Sequence, residues 1–231
     1  MTEFYLVRHA QASFASENYD TLSSLGVNQS RILGRYFAGQ AIEFDTVLSG
    51  NMRRHLQTVD VVVAEMPAGE RASRERHHGL DEYAFHVMLR IYCDLHPDNE
   101  LVRAAREQPA DRRLFFRLLR QVLEACSENR LEGAPEPWDD FVARVLDARA
   151  HIQSLAADSG RILAVSSGGA ISMFTGSVLG LSPGHIFDLN MQLRNTSITR
   201  FFAGSNGFRL AEFNAVPHLA HRRFADRITF S

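Results

Sequence analysis

The chain contains no lysine: all 25 of its basic residues are arginine. That excludes a Walker-type phosphate lysine, a Schiff-base lysine and a Ser–Lys dyad from this sequence, and leaves Arg, His and backbone amides as the groups able to hold an anion. Cysteine is nearly as scarce. Cys93 and Cys126 make neither a disulfide framework nor a CxxC pair, and both fall in segments that read as helices, where buried thiols are usual. The one G-x-S-x-G string, Gly180-Leu181-Ser182-Pro183-Gly184, follows the apolar helical run Ala170 to Leu179 rather than a strand, so a serine hydrolase elbow has no anchor. His86, Cys93 and His96 match no common metal-ligand spacing, and no metal is expected. Long apolar runs are also missing. The first opens at Phe4 without a basic leader and stops at Arg8, so neither a signal peptide nor a transmembrane start is expected, and a cytoplasmic protein is. The net charge of −2 offers no bulk basic surface for nucleic acid.

What is present suits an ordinary globular chain of 231 residues, 45% hydrophobic and 23% charged, long enough to bury a core without disulfides. The expectation is one domain over 1–231 carrying a helical insert at about 87–157. Phe4 to Val7 is continuously apolar, as in a central parallel strand covered on both faces, and Arg8 and His9 follow at its carboxyl end. Open α/β sheets place their ligands at that edge. A guanidinium beside an imidazole there suits an anion that can also be attacked, although the pair alone would equally suit a solvated strand end.

A helix is expected from Thr21–Ser24 to Gly39, then a strand at Phe44–Leu48, then a helix from Met52 to Met66 with Arg54 at its amino end, itself an anion site. Pro67 to Arg76 reads as a polar linker, followed by a turn with two carboxylates, Asp81 and Glu82. Helical periods then run from about Val87 to Ala157, with Leu114–Ala125 and Trp138–Leu155 read as helices of a cap. A third strand, Arg161–Val165, enters Ser166-Ser167-Gly168-Gly169 and a helix from Ala170 to Leu179, again presenting backbone N–H groups. Ile198–Ala203 and Phe208–Phe213, joined by Gly204-Ser205-Asn206-Gly207, read as an antiparallel hairpin. The fold class is thus α/β, a three-layer α/β/α sandwich with a mostly parallel sheet, a C-terminal antiparallel hairpin and a helical insert.

These residues resemble the histidine phosphatase superfamily, which includes the cofactor-dependent phosphoglycerate mutases. Leu6-Val7-Arg8-His9-Ala10 is similar to its Arg-His motif, Leu22 to Gln29 to its L-S-x-L-G-x-x-Q segment, and Ser49 with Arg54 to Thr58 to its S…R-x-x-Q-T segment. Leu80-Asp81-Glu82 resembles its L-x-E element, and Asn195-Thr196-Ser197 its final strand start. The resemblance implies a phosphatase acting on a phosphomonoester, with a phosphorylated small molecule or phosphopeptide as partner and no cofactor. His9 would be the nucleophile, Arg8 and Arg54 the phosphate clamp and Glu82 the acid, with Asp81 its rival; Ser13, Ser167, Gly168 and Gly169 would be further phosphate contacts. The chain departs from the family where a second histidine usually precedes the Gly-Gly turn, since Ser167 stands there. A slow enzyme rather than a dead one is expected, provided Ser167 or another histidine, His78 or His218, takes up the contact, and a Ser167→His variant is expected to be faster. A mutase-like phosphotransferase and a catalytically silent phospho-ligand-binding domain are the alternatives.

Overall fold

The computed structural model describes residues 1–13, 20–67 and 69–230. Six strands form one sheet: β1 (Thr2–Arg8), β2 (Thr46–Ser49), β3 (Ser73–Arg76), β4 (Arg161–Ser166), β5 (Ile198–Gly204) and β6 (Gly207–Ala215). Their spatial order is β3-β2-β4-β1-β5-β6; β1, β2, β3 and β4 run parallel, and β5 and β6 return antiparallel as the expected hairpin. The strand β3 is the one absent from the expectation, because Ser73–Arg76 is a polar, largely exposed edge with no apolar run to announce it.

The core divides at the sheet, as period-two alternation requires. Tyr5 and Val7 of β1, Val47 of β2 and Leu163 and Val165 of β4 face α1 (Ser24–Gly39) and α2 (Arg53–Ala64), meeting Leu33, Phe37, Val59 and Val62. Phe4, Leu6, Ile162 and Ala164 face the other way, toward α6 (Trp138–Leu155) and α7 (Gly168–Leu179). The helix α6 packs on α7 and the His78–Leu80 turn and leads directly into β4, so Trp138–Leu155 is a crossover helix on the sheet face. Three further helices, α3 (Phe85–Leu95), α4 (Glu100–Glu107) and α5 (Arg112–Ser127), precede it, and α8 (Pro183–Gln192), which has a proline at its first position, packs against α5 and α7. Among the described residues, no helix is long and apolar enough to cross a membrane.

Parallel register brings three strand ends to one edge. Arg8 lies beside Ser166, and Ser49 beside Val165. The chain then leaves each strand still tied to β4: His9 N–H donates to the Ser166 carbonyl (2.8 Å) and Gly50 N–H to that of Val165 (3.1 Å).

Candidate active site

The edge is held by polar side chains that spend themselves on backbone. Ser23 caps α1 by accepting from the Gly26 amide (3.0 Å), and Gly26 lies so close to the Gln11 carbonyl that a Cβ would collide with it. Gln29 accepts from the Gln11 amide (2.9 Å), Thr58 from that of Ala10 (3.1 Å), and Asn195 donates to the His9 carbonyl (3.1 Å). The serines, glutamines and threonine of the segments Leu22–Gln29 and Arg54–Thr58 therefore fix the turn after β1.

Within that frame His9 is buried, and its Nδ1 lies 2.7 Å from the Ala10 carbonyl. A carbonyl accepts only, so the proton sits on Nδ1 and Nε2 keeps its lone pair. That lone pair accepts from Arg54 Nε–H (3.2 Å). Burial, then the charges of Arg54 and Arg8, hold the His9 imidazole well below its usual pKa, so it is neutral. Arg8 is fixed from behind, Nη1 donating to the Leu193 (2.5 Å) and Phe230 (3.1 Å) carbonyls. Arg54 forms an ion pair with Asp20 (2.7 Å), whose second oxygen accepts from the Arg53 amide (2.7 Å) at the start of α2.

Glu82 reaches the same cavity as Arg8, His9 and Arg54. Its Oε1 accepts from the Tyr83 and Gly169 amides, both at 3.0 Å. Burial raises its pKa despite the opposing pull of both arginines. The loop bearing it hangs on buried Arg144 of α6, which donates to the carbonyls of His78 (3.1 Å), Asp81 (2.8 Å) and Glu82 (3.2 Å) while pairing with both oxygens of Glu136. Asp81 is turned elsewhere, its carboxylate accepting from the Asn51 amide (2.5 Å) and side chain (3.1 Å).

Ser167 lies beneath Arg54, fully buried, its Oγ 3.4 Å from Arg54 Nη2 and 2.7 Å from Nε2 of His55. His55 is fully buried and held well below its usual pKa by burial and by Arg54. Its Nδ1 lies 3.9 Å from Asp81 Oδ1. Ser167 Oγ thus accepts from Arg54 and meets His55 Nε2, whereas His55 Nδ1, buried and 3.9 Å from the Asp81 carboxylate, makes no hydrogen bond. Neither histidine weighed from the sequence reaches this place. His78 is 67% exposed beside Asp81, and His218 is buried against Thr196 (2.9 Å), its pKa lowered by burial to about 4.

The other candidates are placed differently. Gly168 starts α7 and packs on Asn190 and Arg8; the Gly169 amide is committed to Glu82. Ser13 is tied through its amide to the Thr21 carbonyl (2.8 Å) and is not among the residues lining the cavity. Asp20, His55 and Arg144 were missed by sequence reasoning. Arg53-Arg54-His55 at a helix start was visible as a cluster, but Ser167 and Asp81 lie 112 and 26 residues from the His55 they face, and Asp20 lies 34 residues from Arg54. Among the described residues, no group of three or more His, Cys, Asp or Glu is arranged to hold a metal ion.

The architecture is that of an α/β protein with a cavity lined by Arg8, His9, Arg54 and Glu82 at the carboxyl edge of its parallel strands. The chain belongs to the histidine phosphatase superfamily (branch 1), whose pattern matches residues 4–216. No curated protein sequence matches it significantly. Its fold is similar to that of an Entamoeba histolytica phosphoserine phosphatase mutant solved with phosphoserine (TM-score 0.63, 17% identity, covering 95% of this chain and 100% of that one). It is also similar to a mycobacterial glucosyl-3-phosphoglycerate phosphatase (0.64, 17%, 93% and 99%) and a putative α-ribazole-5′-phosphate phosphatase from Escherichia coli (0.62, 16%, 93% and 96%).

Proposed function

We propose that this protein is a phosphoric monoester hydrolase that works through a phosphohistidine on His9. The observation that carries the reading is the Nε2 lone pair of a neutral, buried imidazole 3.2 Å from a guanidinium nitrogen, in a cavity that Arg8 and Glu82 also line. His9 Nε2 attacks phosphorus as the ester P–O bond breaks, and the departing oxygen takes the proton of Glu82. Water then attacks the phosphohistidine, gives a proton back to the Glu82 carboxylate, and releases phosphate and free His9. Arg8 and Arg54 neutralise charge on the transferring group, each worth about 3 kcal/mol if it follows other transition-state donors. No step is routed through a metal ion. Ser167 and His55 act on Arg54, holding its guanidinium from below in the place where the family usually has a second histidine.

The test is phosphate release from p-nitrophenyl phosphate between about pH 5 and pH 8, the range over which His and raised carboxyl groups titrate, against a His9→Ala control. Turnover that disappears in the control is expected. Equal release by both proteins, with inorganic phosphate still bound, would instead define a silent phosphate-binding domain.

A further inference from the structure

The cavity over His9 has a volume of about 730 Å³, far more than a phosphate group needs, and its two ends differ in chemistry. The floor is Arg8, His9, Arg54 and Glu82. The walls are apolar: Phe85 and Leu89 from α3, Phe115, Phe116 and Leu119 from α5, and Met191 from α8. Phe115 and Phe116 keep 41% and 39% of their surface exposed, although both belong to a helix whose Leu118, Leu119, Val122 and Leu123 are buried. Two neighbouring aromatic side chains that escape the core and line a cavity with a cationic floor present apolar surface to whatever the floor holds.

The charges point the same way. Among the described residues, the cations lining this cavity are the two floor arginines; His86, the basic side chain there besides His9, is kept toward its neutral form by burial and by Arg54. Asp20, on the rim, is negative. A second carboxylate or phosphate on the ligand would therefore face carbon and a like charge, whereas an uncharged ring or chain would be desolvated against the phenylalanines.

We propose that the substrate is a phosphate monoester of a bulky apolar alcohol, its phosphate on Arg8 and Arg54 and its hydrocarbon part between α3 and α5. This rests on the reading of the site as a phosphatase. It separates this chain from the fold neighbours solved with phosphoserine and 3-phosphoglycerate, both small and multiply charged.

The experiment compares kcat/KM for 1-naphthyl phosphate and decyl phosphate with that for glycerol 1-phosphate and 3-phosphoglycerate. A preference of at least about tenfold for the apolar esters is expected, the scale on which hydrophobic pockets discriminate. Phe115→Ser and Phe116→Ser should each lower that ratio. Equal rates, or a preference for the charged esters, would overturn the proposal. Binding of naphthylmethylphosphonate against methylphosphonate to the unmodified protein, read by calorimetry, separates the two readings. Tighter binding of the aromatic phosphonate without hydrolysis of any ester upholds the ligand class and refutes the phosphatase reading. No difference between the phosphonates refutes the ligand class even where esters are hydrolysed.

Discussion

The floor and the walls of the cavity are built by different means. On the floor, Arg8, His9 and Arg54 are nine-tenths buried or more, and each has a partner that fixes it: the Leu193 carbonyl for Arg8, the Ala10 carbonyl for His9, Asp20 for Arg54. On the walls, Phe115 and Phe116 are two-fifths exposed, with their ring centroids 5.8 Å apart. Charged groups in a buried site must be pinned, because an unpaired one costs several kcal/mol, whereas apolar surface needs only to be dry and close to its ligand. On the proposed reading, reaction chemistry would sit at the end of β1 and the start of α2 and substrate choice on α3, α5 and α8, and substitutions in the two places should behave differently.

The largest effect is expected on the floor. Arg54→Met should lower kcat on every ester alike, by roughly 10²–10³-fold, as removal of one transition-state donor does elsewhere; a loss confined to one leaving group in steady-state kinetics would contradict its assignment to the phosphate. Next comes Ser167→His. The sequence suggested a gain, but the His55 ring already lies 2.7 Å from Ser167 Oγ, so a second imidazole overpacks a fully buried site and displaces Arg54. A drop of about tenfold or more in kcat is expected for this variant. Recovery of activity in Ser167→His combined with His55→Ala would show that the two positions share one space.

Glu82→Gln acts on both proton transfers. It should slow alkyl esters by about 10²-fold, whereas with p-nitrophenyl phosphate, whose leaving group needs no proton, phosphorylation of His9 should be spared and only hydrolysis of the phosphohistidine slowed. Because burial raises the Glu82 pKa, the wild-type rate on alkyl esters should fall as pH rises through that raised value, and the variant should lose this limb of the profile. The smallest effect lies outside the cavity. His218 titrates at about 4 in the fold and near 6.5 unfolded, so the unfolded chain binds more protons between those values, and stability falls as pH falls from about 7 to 5. The loss due to His218 is on the order of 1 to 2 kcal/mol, and His218→Gln should remove that part of the fall in unfolding free energy, read by denaturant titration at about pH 7 and pH 5.

Much of the floor was legible in the sequence because it is local. Arg8 and His9 adjoin the apolar run that forms β1, and Arg54 opens the helix after β2, so strand ends and side chains were read together. The sheet was legible for the same reason except at β3, whose polar edge lacks the apolar run that marks β1, β2 and β4. The His55–Ser167 pair was not, since a histidine beside an arginine at a helix start shows nothing of the strand end 112 residues away that it meets. Neither was Arg144, which steadies the Glu82 loop from a crossover helix that the sequence alone assigns to a cap.

The most direct measurement is the identity of the phosphorylated atom. Rapid mixing with 1-naphthyl phosphate, quenching in alkali and peptide mass spectrometry should place one phosphate on the peptide containing His9, labile in acid and stable in base. An acid-stable phosphate on Ser167, whose hydroxyl already touches His55, or steady turnover with no label on His9, would contradict the account.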